Sequence, residues 1–240
     1  WITFLIALLV YTLTVEPTAS FWDCGEFIAT SYKLEVPHPP GAPFFLLMGR
    51  MFSLFAGDNV EQVAFWINML SVLSAAFTVL FLFWSITHLA KKMLVKAGEV
   101  LNTGQTIAVM GAGLVGGLVC TFSDSIWFSA VEAEVYAMSS FFTSLTFWAL
   151  LRWYKSEESE GVDRWIVFIG FLIGLALGTH MLNLLVIPTV CLAYYFKKYT
   201  VSPKGIFMAL IGSAVALGFV MKIIYPGIPW LLANMDKLFV

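Results

Sequence analysis

Residues 64–90 read AFWINMLSVLSAAFTVLFLFWSITHLA, a run of 27 positions without one Asp, Glu, Lys or Arg. As a helix such a run would extend about 40 Å, more than the roughly 30 Å of hydrocarbon in a bilayer. Comparable apolar runs at 1–14, 105–122, 134–153, 165–183, 184–197 and 205–224 predict about seven spans in all. The sixth is short and carries Pro188, which predicts a kink. Composition agrees: the 240 residues are 60% hydrophobic and only 12% charged, and the mean hydropathy is +0.88. A soluble domain carries about twice that share of charge, so a water-soluble globule is excluded. The fold class is all-α, a polytopic transmembrane helix bundle.

Outside the spans, 15–62 reads as a loop holding short helices. Its apolar stretch 43–56 is only about 14 residues long, which suits an interfacial helix better than a crossing. If it does not cross, Lys91, Lys92, Lys96, Arg152, Lys155, Arg164, Lys197, Lys198 and Lys204 fall on one side, nine of the thirteen basic residues. The positive-inside rule puts that side in the cytoplasm and 15–62 outside. Ten of the fifteen acidic residues then lie outside, Glu16, Asp23, Glu26, Glu132 and Glu134 among them. Acids do little to set topology, so their gathering on one face suggests chemistry. The chain opens with Trp1 inside an apolar run that lacks a basic flank and a cleavage site, which predicts an anchor helix in a piece of a longer protein. Cys24, Cys120 and Cys191 give neither a disulfide framework nor a metal-knuckle spacing. Gly113 and Gly117, and Gly170, Gly174 and Gly178, recur every four residues and predict close helix packing.

Candidate chemistry lies in four places. Asp23 and Glu26 are three apart and share one helix face; two such carboxylates repel unless a cation intervenes or one keeps its proton, although a solvated helix face reads the same way. Val36-Pro37-His38-Pro39-Pro40-Gly41-Ala42-Pro43 is too rich in proline for a helix and forms an extended strap, whose His38 either binds an anion, shuttles a proton or simply bonds a carbonyl. Glu132 and Glu134 precede an apolar run. A helix start accounts for one acid there but not readily for two, and an ionisable group at a membrane boundary is a functional candidate. Thr179, His180 and Asn183 form a polar turn that suits a phosphate, a sugar or a purely structural hairpin; His88 reads as structural.

The strings FWDCGEFIATSYKLEVPHPPGAPFF (21–45) and WFSAVEAEVYAMSSFF (127–142) carry a resemblance to the GT-C membrane glycosyltransferases. They resemble most a bacterial membrane-protein family that also includes an animal transmembrane O-mannosyltransferase. The resemblance implies that 1–240 is the N-terminal part of a GT-C-like transmembrane domain and that 15–62 is its first outer loop. It also implies a polyprenyl-phosphate sugar as donor, a protein or glycan hydroxyl as acceptor, and no nucleic-acid partner. The implied setting is a bacterial inner membrane, with the site facing the periplasm. Asp23 then resembles the catalytic acid of the first loop, with Glu26 beside it, and Glu134 resembles the second acidic residue, next to Glu132. His38, His180, Asn183, Arg50 and Lys33 fall to substrate binding, the last two and His180 as partners of the leaving phosphate. No further acidic motif matches the metal-dependent branch, so a divalent cation stays open. The rival class is a transporter or lipid flippase, against which stand the missing internal repeat and polar residues gathered at one face only.

Overall fold

The computed structural model describes residues 1–96, 99–156 and 163–239, and among these every regular element is helical. The chain divides into two compact units, Trp1–Asn183 and Leu184–Val240. The first contains α1 (Ile2–Thr14), α2 (Cys24–Lys33), α3 (Pro43–Ser53), α4 (Val63–Leu94), α5 (Thr103–Thr121), α6 (Asp124–Ala130), α7 (Val135–Lys155) and α8 (Asp163–Leu177). The second contains α9 (Val186–Lys198), α10 (Pro203–Phe219) and α11 (Tyr225–Phe239), with a π-helical turn at Val220–Ile224.

Three stretches are long and apolar enough to cross a bilayer: Val60–Leu94, Thr103–Thr121 and Pro203–Met235. The expectation of about seven spans is therefore met only in part. The helices α1, α8 and α9 have 13, 15 and 13 residues, about 20 Å each. The run expected at 165–183 stops as a helix at Leu177 and continues as a 3-10 turn over Met181–Leu185. With 21 residues α7 has the length, but Arg152 and Lys155 in its last turn shorten its apolar part. The 11 residues of α3 reach only about 16 Å.

The first unit is built around α4. Phe4, Ala7 and Tyr11 of α1 pack on Val72, Ala76 and Val79 of α4, with Ala130 and Ala137 closing the cluster. Small side chains there let the helix axes approach. The Tyr11 hydroxyl donates to the Thr121 carbonyl at 2.9 Å, tying α1 to the end of α5. A Cβ on Gly113 would lie 2.5 Å from Thr87 Cγ2, and one on Gly117 would lie 3.2 Å from Thr3 Cγ2. These two glycines are therefore contact points, as their spacing predicts. In the second repeat only Gly178 is one, with Phe44 Cβ at 3.0 Å from its would-be Cβ; Gly170 and Gly174 meet nothing within 4 Å among the described residues.

The helices α4 and α7 run parallel. Ser71 of α4 reaches the Glu134 carbonyl at the start of α7, and Lys92 lies 4.6 Å over the Tyr154 ring at the other end. From there α8 returns: Trp165 stacks edge-on with Trp148, and at its far end the Gly178 carbonyl accepts from Phe44 N at 2.8 Å. Charges thus separate along the bundle. Asp23, Glu26, Glu132 and Glu134 lie at one end, while Lys91, Lys92, Arg152 and Lys155 lie at the other.

In the second unit, α9 and α10 form a hairpin closed by the Tyr195 hydroxyl, which donates to the Thr200 carbonyl and accepts from Ser202 N. Ser202 caps α10 by accepting from Gly205 N, with Pro203 at its first position.

Two non-glycine residues of the first loop adopt left-handed backbone angles, Trp22 (φ 64°) and Leu34 (φ 54°). Leu34 is accounted for by its place, since its N–H closes the C-terminal end of α2 on the Ser31 and Thr30 carbonyls. Trp22 closes no helix, and a bulky side chain there costs about 1–2 kcal/mol.

Candidate active site

The first loop is fastened to the turn before α7 by contacts that bridge more than a hundred positions. Glu16 N donates to the Val131 carbonyl at 2.9 Å. From α4, the Asn68 amide donates to the carbonyls of Glu16 and Thr18 at 2.6 and 2.9 Å. The Ser20 hydroxyl donates to Glu132 at 2.5 Å, and the Cys24 thiol donates to Glu134 Oε1 at 3.7 Å. Both glutamates are buried. Asp23 sits between these two fastenings, at the N-cap of α2, and makes no capping bond with its side chain.

The proline strap comes back across the start of α2. Glu26 accepts twice from His38, from the backbone N–H at 2.6 Å and from ring Nδ1 at 2.7 Å. That grip turns Nε2 toward Asp23, whose Oδ2 is 4.0 Å away. His38 thus stands between the two carboxylates, where a cationic partner for them would stand. Beyond His38 the strap continues through a cis bond between Pro39 and Pro40 to Gly41 at φ 73°. Ligand atoms of Asp23, Glu26 and His38 lie within 4.8 Å of one another. Two carboxylates and an imidazole suit a borderline divalent cation, although Nδ1 is already engaged by Glu26.

Electrostatics follow from burial and neighbours. The hydrogen bond to Glu26 raises His38 above its ordinary value, assisted by the charges of Glu26, Asp23 and Glu134. The same bond lowers Glu26. Burial pushes Cys24 up to about 12, so it remains a thiol and a donor. Burial, then the nearby Asp23 and Glu132, raise Glu134 from 4.5 to about 6. Asp23, next to Cys24 in the chain, thus lies near enough to Glu134 for its charge to act on that carboxyl.

The sign of the Glu134 shift makes a prediction. A carboxyl whose folded value is raised stabilises the fold most below its unfolded value and loses that stability as pH rises through the folded one. Glu134 therefore contributes a fall of about 2 kcal/mol between pH 4.5 and about 6. In Glu134→Gln the amide oxygen still accepts from Cys24 and nothing ionises. Thermal melts of wild type and variant from pH 4 to 8 should diverge through this window, with the variant more stable above it. Parallel melting curves would contradict the shift.

The remaining expected residues lie elsewhere. Lys33 pairs with Glu35 at 4.0 Å, and Arg50 lies 5.2 Å over the Tyr32 ring and bonds Ser53. Both sit by the C-terminal end of α2, about 10 Å along its axis from Glu26, so the structure does not bring them to the carboxylates. His180 packs edge-on against Tyr136, two residues from Glu134, but burial lowers it and favours the neutral ring. Asn183 is fully engaged: its oxygen accepts from Ser139 and Thr143, and its amide donates to the Ala176 and His180 carbonyls. All four of its hydrogen-bonding positions are used, the structural hairpin of the two readings left open above. Sequence reasoning missed Ser20, Cys24 and Asn68. Only Asn68 carried a signal, as a lone amide in an otherwise apolar helix.

Residues 23–202 match the family described as Protein O-mannosyl-transferase TMEM260 N-terminal domain. The chain belongs to that family. The match begins at Asp23 and takes in the strap, Glu132 and Glu134. Two relatives agree. Protein O-mannosyl-transferase tmem260 of Dictyostelium discoideum is 26% identical over 142 residues, 59% of this chain and 15% of that protein. Protein O-mannosyl-transferase TMEM260 of Mus musculus is 27% identical over 169 residues, 70% of this chain and 21% of that protein. The chain thus spans about a fifth or less of the length of these relatives. No solved structure matches it. Membership of the TMEM260 N-terminal-domain family and the three long apolar helices agree on an integral membrane protein.

Proposed function

We propose that this chain is the membrane-embedded part of a protein O-mannosyltransferase that takes its sugar from a polyprenyl-phosphate carrier. The observation that carries this reading is the convergence of Asp23, His38 and Glu134 at one end of the helix bundle. Asp23 acts as general base. It takes the proton of a Ser or Thr hydroxyl as that oxygen attacks the anomeric carbon. The bond from that carbon to the phosphate oxygen breaks, and its electron pair leaves with the phosphate. His38, the cation nearest Asp23, replaces Lys33 and Arg50 as partner of that anion. Glu134 and Glu26 orient the acceptor and His38 respectively.

The lipid tail of such a donor stays in the bilayer while its head group reaches the boundary, where the carboxylates lie. We place that end outside the cytoplasm because Lys91, Lys92, Arg152 and Lys155 lie at the other; for a bacterial chain this is the periplasm. The test uses the purified full-length protein with radiolabelled polyprenyl-phosphate mannose and a Ser/Thr-rich polypeptide. Label should move to the polypeptide and resist mild acid that cleaves the donor. Donor crossing proteoliposomes chemically unchanged, with no label transferred, would favour the flippase reading instead.

A further inference from the structure

Between its fastenings at Ser20 and Cys24 the first loop pushes out two aromatic side chains. Phe21 is 88% exposed and Trp22 87%. Among the described residues neither ring pairs with another, whereas Trp127, Trp148 and Trp165 all do. Packing therefore gives no reason for these residues, and the left-handed backbone at Trp22 is one that a large side chain disfavours. The loop cannot easily relax around them. Ser20 on one side and Cys24 on the other are bound to buried glutamates, and Asn68 holds the chain upstream. A strained, exposed and firmly held indole next to Asp23 is placed for contact with something that Asp23 also meets.

The geometry points to Trp22, with Phe21 beside it, as a stacking platform for the sugar ring of the donor. A pyranose has a rim of hydroxyls and faces made of C–H bonds. The carboxylates of Asp23 and Glu26 match the rim, and an indole face matches the C–H surface. This inference rests on the transferase reading and deepens it by assigning the residue that holds the sugar. The same rings inserted into the bilayer would anchor the loop instead. A ring that neighbours the Asp23 carboxylate is better matched to a neutral polyol than to lipid head groups, many of which are anionic.

The experiment uses full-length Trp22→Ala, Trp22→Phe and Trp22→Gly. Each is measured for equilibrium binding of polyprenyl-phosphate mannose, donor KM, kcat and Tm. Binding and donor KM should weaken about tenfold in the Ala and Gly variants, and Phe should restore most of the loss. The Gly variant should melt at or above wild type, because it adopts φ 64° freely, so lost donor affinity there cannot be a folding defect. Unchanged donor binding in Trp22→Gly overturns the inference. So does a loss that Phe fails to rescue, or one that appears only as weaker insertion into phosphatidylcholine vesicles. A wild-type protein that binds donor through Trp22 but transfers nothing supports the platform while refuting the transferase reading.

Discussion

Asp23→Asn in the full-length protein should lower mannosyl transfer by roughly 10²–10⁴, the usual worth of a general base, and leave Tm within a degree of wild type. The substitution conserves size, and the side chain is exposed. It makes no capping bond to α2, and among the described residues its side chain meets His38 at 4.0 Å, so the fold loses little. An amide keeps the hydroxyl's hydrogen bond but cannot accept its proton. Donor binding should persist, which separates the loss of chemistry from a loss of affinity. Transfer at an unchanged rate would remove Asp23 from the mechanism. A parallel fall in Tm and donor binding would make it a structural residue instead.

The second large effect concerns stability. Asn183→Leu should destabilise the protein by about 3 kcal/mol, because buried polar partners lose their bonds all at once. Ser139 and Thr143 lose an acceptor, and the Ala176 and His180 carbonyls lose a donor. Thr143 keeps its alternative bond to the Ser139 carbonyl, which limits the damage. Thermal melts in one detergent would measure it. Since the amide has no position left for a ligand, the donor KM of the surviving folded fraction should match wild type. A raised KM at unchanged Tm would return Asn183 to substrate binding.

Much of the helical framework was legible because hydrophobic length is a local property. The apolar run at 64–90 became α4 over Val63–Leu94, and the run at 134–153 became α7 over Val135–Lys155. Legibility fell where span and helix part company. Residues 165–178 are apolar throughout, yet the helix ends at Leu177 because the Gly178–His180 turn feeds a polar knot around Asn183. In the site, the joining of the first loop to the Glu132–Glu134 turn was readable from the order of the motifs. The bonds that accomplish it were not: Ser20 to Glu132 and Cys24 to Glu134 leave no local pattern. Charge alone suggested Lys33 and Arg50 as phosphate partners, and it carries no information on where they stand relative to the carboxylates. Helical rise alone carries Lys33 two turns away from Glu26, where it meets Glu35 instead.

Both proposed acids, Asp23 and Glu134, occupy the position that opens a helix, α2 and α7 respectively, and neither spends its side chain on closing that helix. The amino ends of α2 and α7, joined through the Cys24–Glu134 contact, each carry the equivalent of roughly half a positive charge. This potential comes from peptide dipoles, so it does not titrate. A departing polyprenyl phosphate would meet the same backbone polarity in acid or alkaline medium, with His38 adding its charge where it is protonated.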